Sequence, residues 1–216
     1  MKGLLICDCD EVLLHMVRHF GVWLREHHDI DFTANGGDFA TSMTRISGGS
    51  APTREEMWGL LEGFFPAEMS RQTLVPHARE ALAALSQVAD VVILTNLADH
   101  NREPRVAQLL GHDMAYRVET NQGGKGDPVA RLVAEHGNPV TVFVDDLAVH
   151  HASVAKHAPQ VHRLHMISEP SLAPNVPPAP DAHVRIDDWQ AAQAWIADRF
   201  AAGVPAALSP ERTQHD

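Results

Sequence analysis

Asp8 and Asp10 stand two positions apart in ICDCDEVLL, directly after a short apolar run. A strand alternates its side chains, so positions i and i+2 turn the same way, and two carboxylates held side by side repel unless a cation or a shared proton relieves them. Thr95 and Asn96 close the run ILTN and offer a hydroxyl and an amide, donors suited to phosphoryl oxygens. Lys125 lies in NQGGKGDP, where glycines let the backbone come close and a helix is expected to begin near Asp127, a setting in which an ammonium can pair with an anion. Asp145 and Asp146 follow the apolar run TVFV. A second carboxylate pair at a strand end calls for a hard cation such as Mg²⁺, which takes oxygen ligands and keeps several waters. Each signal alone has a plain alternative: a solvated turn, a helix cap, a surface lysine. Their joint occurrence at successive strand ends is what carries weight.

The elements that must position these groups can be read from hydrophobic periodicity. Apolar runs at 3–7 (GLLIC), 91–95 (VVILT) and 140–144 (VTVFV) have the near-continuous character of strands covered on both faces of a parallel sheet. The segment 161–166 (VHRLHM) is a fourth strand candidate and 115–119 (AYRVE) a weaker fifth. Helical patterns separate them at 76–87, where Pro76 suits a first turn, and at 105–110, 127–136 and 148–157. This alternation predicts a doubly wound, mostly parallel Rossmann-like α/β sheet, with ligands gathered at the carboxyl ends of its strands. Between the first strand and Pro76 the rhythm is broken by two further helical patterns, 13–27 and 54–65, the second with Thr53 as N-cap. The Gly- and Ser-rich stretch 34–52 between them reads as a loop. The Pro-rich stretch 168–183 reads as a surface crossing, and 187–201 as a capped amphipathic helix. Trp23, Trp58, Trp189 and Trp195 are expected to anchor helices to the core.

In order and placement these motifs resemble the haloacid dehalogenase-like hydrolase superfamily: Asp8-Cys9-Asp10 matches its first motif, Thr95 the second, Lys125 the third and Asp145-Asp146 the fourth. The resemblance spans about residues 1–166. It implies a catalytic core from 1–13 and 76–202 with a small helical cap inserted at 14–75; separately, the residues after Gly203 read as a frayed, flexible tail at 203–216. It further implies that Asp8 attacks phosphorus to give an aspartyl-phosphate, and that Asp10 protonates the leaving alcohol and then activates water. Thr95, Asn96 and Lys125 would bind the phosphoryl group. Mg²⁺ would sit on the Asp8 carboxylate, the Asp10 carbonyl and Asp146, with Asp145 as a further ligand or just outside the coordination sphere. Dehalogenases of the superfamily lack the second aspartate, since a halide needs no proton to leave, so Asp10 favours a Mg²⁺-dependent phosphatase of a small phosphate monoester. A phosphomutase or other phosphotransferase uses the same groups, and a non-catalytic binding or regulatory domain is the alternative of another class. Two positions depart from the pattern: Glu11-Val12 stands where many members have Gly-Thr, and His150 where relatives often carry Asn.

A net charge of −11 argues against a nucleic acid or an anionic membrane as main partner and for a small phosphorylated metabolite. The opening residues lack the apolar length and small-residue site of a signal peptide, so a cytoplasmic location is expected. Cys7 and Cys9 are read as reduced, because a disulfide between residues two apart in a strand is strained. The pairs His27-His28 and His150-His151 are read as structural, since adjacent side chains point apart. Arg18, Arg45, Arg54 and His15 are the polar residues of the inserted segment that could face a substrate.

Overall fold

The computed structural model describes residues 2–33 and 39–207. In chain order the elements are β1 (Gly3–Cys7), α1 (Val17–His28), β2 (Ile30–Phe32), β3 (Met43–Arg45), α2 (Arg54–Glu68), α3 (Ala78–Leu85), β4 (Ala89–Thr95), α4 (Arg102–Gly111), β5 (Arg117–Thr120), α5 (Gly126–Glu135), β6 (Thr141–Asp145), α6 (Ala148–His157), β7 (His162–His165), β8 (Val184–Arg185) and α7 (Trp189–Ala202). Six strands form one parallel sheet in the order β5-β4-β1-β6-β7-β8. The three continuous apolar runs are the adjacent interior strands β4, β1 and β6, because only a strand covered on both faces must be apolar at every position. Leu5 and Cys7 of β1, with Val91, Ile93, Val142 and Val144 beside them, pack under Leu82, Leu85, Trp189 and Ile196 of α3 and α7. Leu4 and Ile6 turn the other way, with Val92, Leu94 and Phe143, onto Val129, Leu132, Val133 and Val154 of α5 and α6. Gly3 admits the ring of Phe200, which the β-carbon of any other residue would strike. Trp189, fully buried, donates its indole N–H to the Val12 carbonyl at 2.8 Å and so fastens α7 to the turn that follows β1.

β1 lies at the switch point of the sheet: the chain moves outward to β4 and β5 on one side, then returns to β6, β7 and β8 on the other. The carboxyl ends of β1, β4 and β6 therefore border one crevice, where open α/β sheets collect ligands.

The segment between β1 and α3 builds a second, smaller cluster. Phe20, Trp23 and Leu24 of α1 pack against Met57 and Phe64 of α2, with Ile30 and Met43 from the antiparallel pair β2-β3. Phe20 meets Phe64 edge to face with centroids 5.2 Å apart, a favoured aromatic geometry. The chain leaves and regains the main body side by side: His15 N–H donates to Thr73 O and Val75 N–H to Leu13 O, both at 2.9 Å.

Several expectations need correction. β2, β3 and β8 were not read from the sequence; they hold two or three residues each, too few to show a period. Part of the expected loop 34–52 is thus strand, and 34–38 lies outside the described residues. α1 starts at Val17 rather than near Leu13, for a reason given below. Pro76 precedes α3 instead of opening it, because His77 takes a left-handed conformation at the cap. Trp58 is 57% exposed and anchors nothing: Met57 and Phe64, seven apart, define the inward face of α2 and leave it outside. The stretch 168–183 does more than cross the surface, since Leu172 and Val176 reach the crevice. Beyond Gly203 the chain stays attached through Ala206, whose N–H donates to Gln160 O at 2.9 Å; 208–216 lies outside the described residues. Thr53 does cap α2, in a reciprocal box with Glu56.

Candidate active site

Asp8 follows the last residue of β1 and Asp145 ends β6, two adjacent parallel strands, so their carboxylates meet across the switch point. Lys125, at the start of α5, places its Nζ 2.7 Å from Asp8 Oδ1 and 2.7 Å from Asp145 Oδ2. All three are buried, with Lys125 and Asp145 at 0% exposure. The loop delivering the lysine is held close by Gly126, whose N–H donates to Ser153 Oγ at 2.9 Å and whose missing β-carbon lets α5 approach the backbone of α6. Burial alone would lower the Lys125 pKa, but Asp145 and Asp8 raise it above its ordinary value, so the lysine is a fixed cation. Burial works against Asp145 as well, yet Lys125 holds its carboxyl below the usual range; its Oδ1 also accepts the Leu147 N–H at 2.9 Å. Asp8 has less support: burial pushes it up to about 7 against the pull of Lys125, with Asp145 adding to the rise.

Above Asp8 opens a cavity of about 320 Å³ lined also by Asp10, Glu11, Thr95, Asn96, Asp146 and His150. Thr95 lines the cavity, and its hydroxyl is buried with no hydrogen-bond partner, a donor left unused. Asn96 has both ends of its amide engaged, Nδ2 donating to Gly123 O and Oδ1 accepting from Asn121 Nδ2, each at 2.9 Å. It ties the end of β4 to the loop that carries Lys125. Lys125 itself lies beneath Asp8 and does not line the cavity.

The donor set fits a hard divalent cation. One ligand atom each from Asp8, Asp145 and Asp146 falls within 4.8 Å of the others. Both Asp145 oxygens already have protein partners, whereas no described residue hydrogen-bonds the Asp146 carboxylate. Burial, then Asp145, Asp8 and Glu11, raise the Asp146 pKa well above its ordinary value, the signature of a carboxylate lacking positive charge. Asp8 and Asp146 therefore each keep a carboxylate oxygen without a protein partner among the described residues, whereas both oxygens of Asp145 are engaged.

Asp10 is held by residues that the sequence did not single out. Arg105 Nη2 lies 2.9 Å from Asp10 Oδ1 and 2.8 Å from Oδ2, and Gln72 Nε2 donates to Oδ1 at 2.9 Å. Arg105 is 0% exposed, bonds Gln72 Oε1 and Gln108 Oε1 through Nη1 at 3.3 and 3.0 Å, and lies over the Phe65 ring. The signal available was its place on the stripe it shares with Leu109, four residues on, where a charge demands a buried partner.

Glu11 occupies the left-handed region (φ 60), which glycine enters freely and glutamate does not. Its carboxylate compensates by accepting the N–H groups of Met16 at 2.7 Å and Val17 at 2.5 Å, thereby setting where α1 begins. Burial pushes its pKa up to about 7 despite these bonds. His15, next to Glu169, is kept neutral by burial, with its pKa lowered to about 4. Arg18 pairs with Glu169 at 2.8 Å and Arg45 with Glu56 at 2.6 Å, and neither lines the cavity. His151 bonds the Asp145 carbonyl at 3.0 Å and His150 lies 3.4 Å from Asn96 Nδ2. Cys7 and Cys9 are free and buried.

No family model and no curated protein matches the chain. Solved structures do. A haloacid dehalogenase-like family hydrolase from Streptococcus pneumoniae superposes with a TM-score of 0.62 at 10% identity, covering 91% of this chain and 98% of its own. YfnB from Bacillus subtilis, described as a HAD-hydrolase bound to magnesium, gives 0.63 at 14% identity over 90% and 98%. A predicted phosphoglycolate phosphatase from Haemophilus somnus gives 0.58 at 16% over 89% and 97%. The chain has the haloacid dehalogenase-like fold. At these identities the likeness speaks for the fold alone, and within that fold the crevice between β1, β4 and β6 is where Asp8, Thr95, Lys125, Asp145 and Asp146 converge. No helix among the described residues is long and apolar enough to cross a membrane.

Proposed function

We propose that the chain is a Mg²⁺-dependent phosphatase acting on a small phosphate monoester through an aspartyl-phosphate. The reading rests above all on one observation: Asp8, oriented by Lys125 at 2.7 Å, lines a cavity together with Thr95, whose buried hydroxyl has no hydrogen-bond partner. Lys125 engages one Asp8 oxygen and leaves the other to attack phosphorus. The Thr95 hydroxyl donates to a transferring phosphoryl oxygen, and its burial makes that bond worth more than in water. Asp10, fixed at the cavity wall by Arg105 and Gln72, gives a proton to the departing alkoxide and takes one from the water that cleaves the intermediate. Asp8, Asp146 and the Asp10 carbonyl would hold the cation, which supplies the positive charge that lets a phosphate dianion approach these carboxylates.

The test is hydrolysis of p-nitrophenyl phosphate with Mg²⁺. Asp8→Asn should abolish phosphate release with the melting temperature retained, and Asp10→Asn should lower kcat by about 10²–10⁴-fold. Unchanged turnover in Asp8→Asn would overturn the assignment.

A further inference from the structure

The walls of the cavity above Asp8 divide sharply by chemistry. Asp8, Thr95 and Asp146 mark the end where phosphoryl transfer is proposed, and away from it apolar side chains such as Met16, Val17, Phe32, Phe65, Leu172 and Val176 outnumber the polar ones, among which Ser42 offers a single hydroxyl. Among the described residues, no Lys or Arg lines it. The charged groups that do are Asp8, Asp10, Glu11 and Asp146, all carboxylates. The two cations nearest them, Lys125 and Arg105, are 0% exposed and already committed, the first to Asp8 and Asp145, the second to Asp10. His150, the remaining basic group on the wall, is held neutral by burial. A volume of about 320 Å³ sits at the low end of small-molecule sites.

Resting on the phosphatase reading, we infer that the substrate is the phosphate ester of an uncharged, apolar alcohol, a short alkyl chain or a single aromatic ring. A leaving group bearing a carboxylate or a second phosphate would bring an unpaired anion against apolar walls and like charge, with no cation to receive it. A polyhydroxylated sugar would exchange water for methyl and ring surface and leave its hydroxyls unsatisfied. An apolar alcohol gains from every carbon it buries: one methylene is worth about a fourfold change in an equilibrium or rate ratio.

A homologous series tests this, because straight-chain alcohols differ little as leaving groups. Phosphate release from methyl, propyl and pentyl phosphate, with Mg²⁺ present, should give kcat/KM rising about fourfold per methylene, more than a hundredfold across the series. 2-Phosphoglycolate and glycerol 1-phosphate should fall at least tenfold below propyl phosphate. A flat or falling series, or 2-phosphoglycolate equal to propyl phosphate, would overturn the inference and leave the phosphatase reading standing. Release from no ester, p-nitrophenyl phosphate included, would bring down both. Leu172→Arg and, separately, Val176→Arg place a cation on the apolar wall, and each should move the ratio of 2-phosphoglycolate to pentyl phosphate at least tenfold toward the acid. A ratio unmoved in both variants, with melting curves showing them folded, would also overturn it.

Discussion

Replacing Lys125 by Met removes the one cation that Asp8 and Asp145 share. The substitution keeps most of the side chain's volume, so the lost charge dominates. Both partners lie 2.7 Å away and are buried, and the variant must hold two uncompensated carboxylates in the sheet crevice. Breaking a buried pair by removing one member costs about 3–5 kcal/mol, a large share of the about 5–15 kcal/mol that stabilises a domain. For a chain of this length that is a fall in Tm of roughly 6–20 °C. The loss should also depend on pH. Without the lysine, burial lifts both carboxyl pKa values above their unfolded value near 4, so the folded variant binds protons that the unfolded chain releases. Its stability is then fullest below about pH 4 and drains away as pH rises through the raised values, so the gap to wild type is wide at pH 7.5 and narrows at pH 5. Urea titrations of both proteins in metal-free buffer at these two pH values give the gap directly. A difference under about 1 kcal/mol at pH 7.5, or one of equal size at pH 5, would refute the claim that Lys125 neutralises both carboxylates.

Gly126→Ala should cost about 1–3 kcal/mol and lower activity, because the new β-carbon runs into the Ser153 carbonyl and pushes α5, with Lys125, away from α6; an unchanged Tm would count against that contact. His151, which burial holds down at about 4, takes up its proton only after the unfolded chain has done so near 6.5. It therefore removes up to about 3 kcal/mol of stability as pH falls from 6.5 to 4, and His151→Gln should flatten that loss in urea melts at pH 6.5 and 4.5.

The central sheet could be read because β1, β4 and β6 are sandwiched between helices and must be apolar throughout. The same logic hid β8, a half-buried edge of two residues, and β2-β3, whose three-residue strands belong to the smaller cluster. The start of α1 was misplaced because the capping group, Glu11, lies six residues upstream of Val17 and reaches it through a left-handed turn that no periodicity reveals. Asp8, Thr95, Asp145 and Asp146 were legible as a group because each stands at the carboxyl end of a strand, and a parallel sheet brings those ends to one edge. Arg105 was harder to find: its stripe with Leu109 marks it as inward, but which carboxylate it meets there, Asp10, is decided only by the fold, while Arg102 on the same helix stays exposed. The division of labour between Asp145 and Asp146 was likewise invisible: adjacent carboxylates differ only in that one finds Lys125 and the Leu147 N–H, and the other does not.

The bond from Trp189 to the Val12 carbonyl spans 177 positions and orders events in time. Along the chain Asp8, Thr95, Lys125 and the Asp145-Asp146 pair all precede α7, so until that helix is made the turn carrying Asp10 and Glu11 lacks its indole donor and one face of β1 lacks part of its cover. A nascent chain that already holds every proposed catalytic group then has α3 on that face but not Trp189 and Ile196, and the apolar surface they would cover is open to aggregation. Completing the turn beside Asp8 thus depends on a contact of very high sequence separation, whose loop-closure entropy must be met before the contact rewards it.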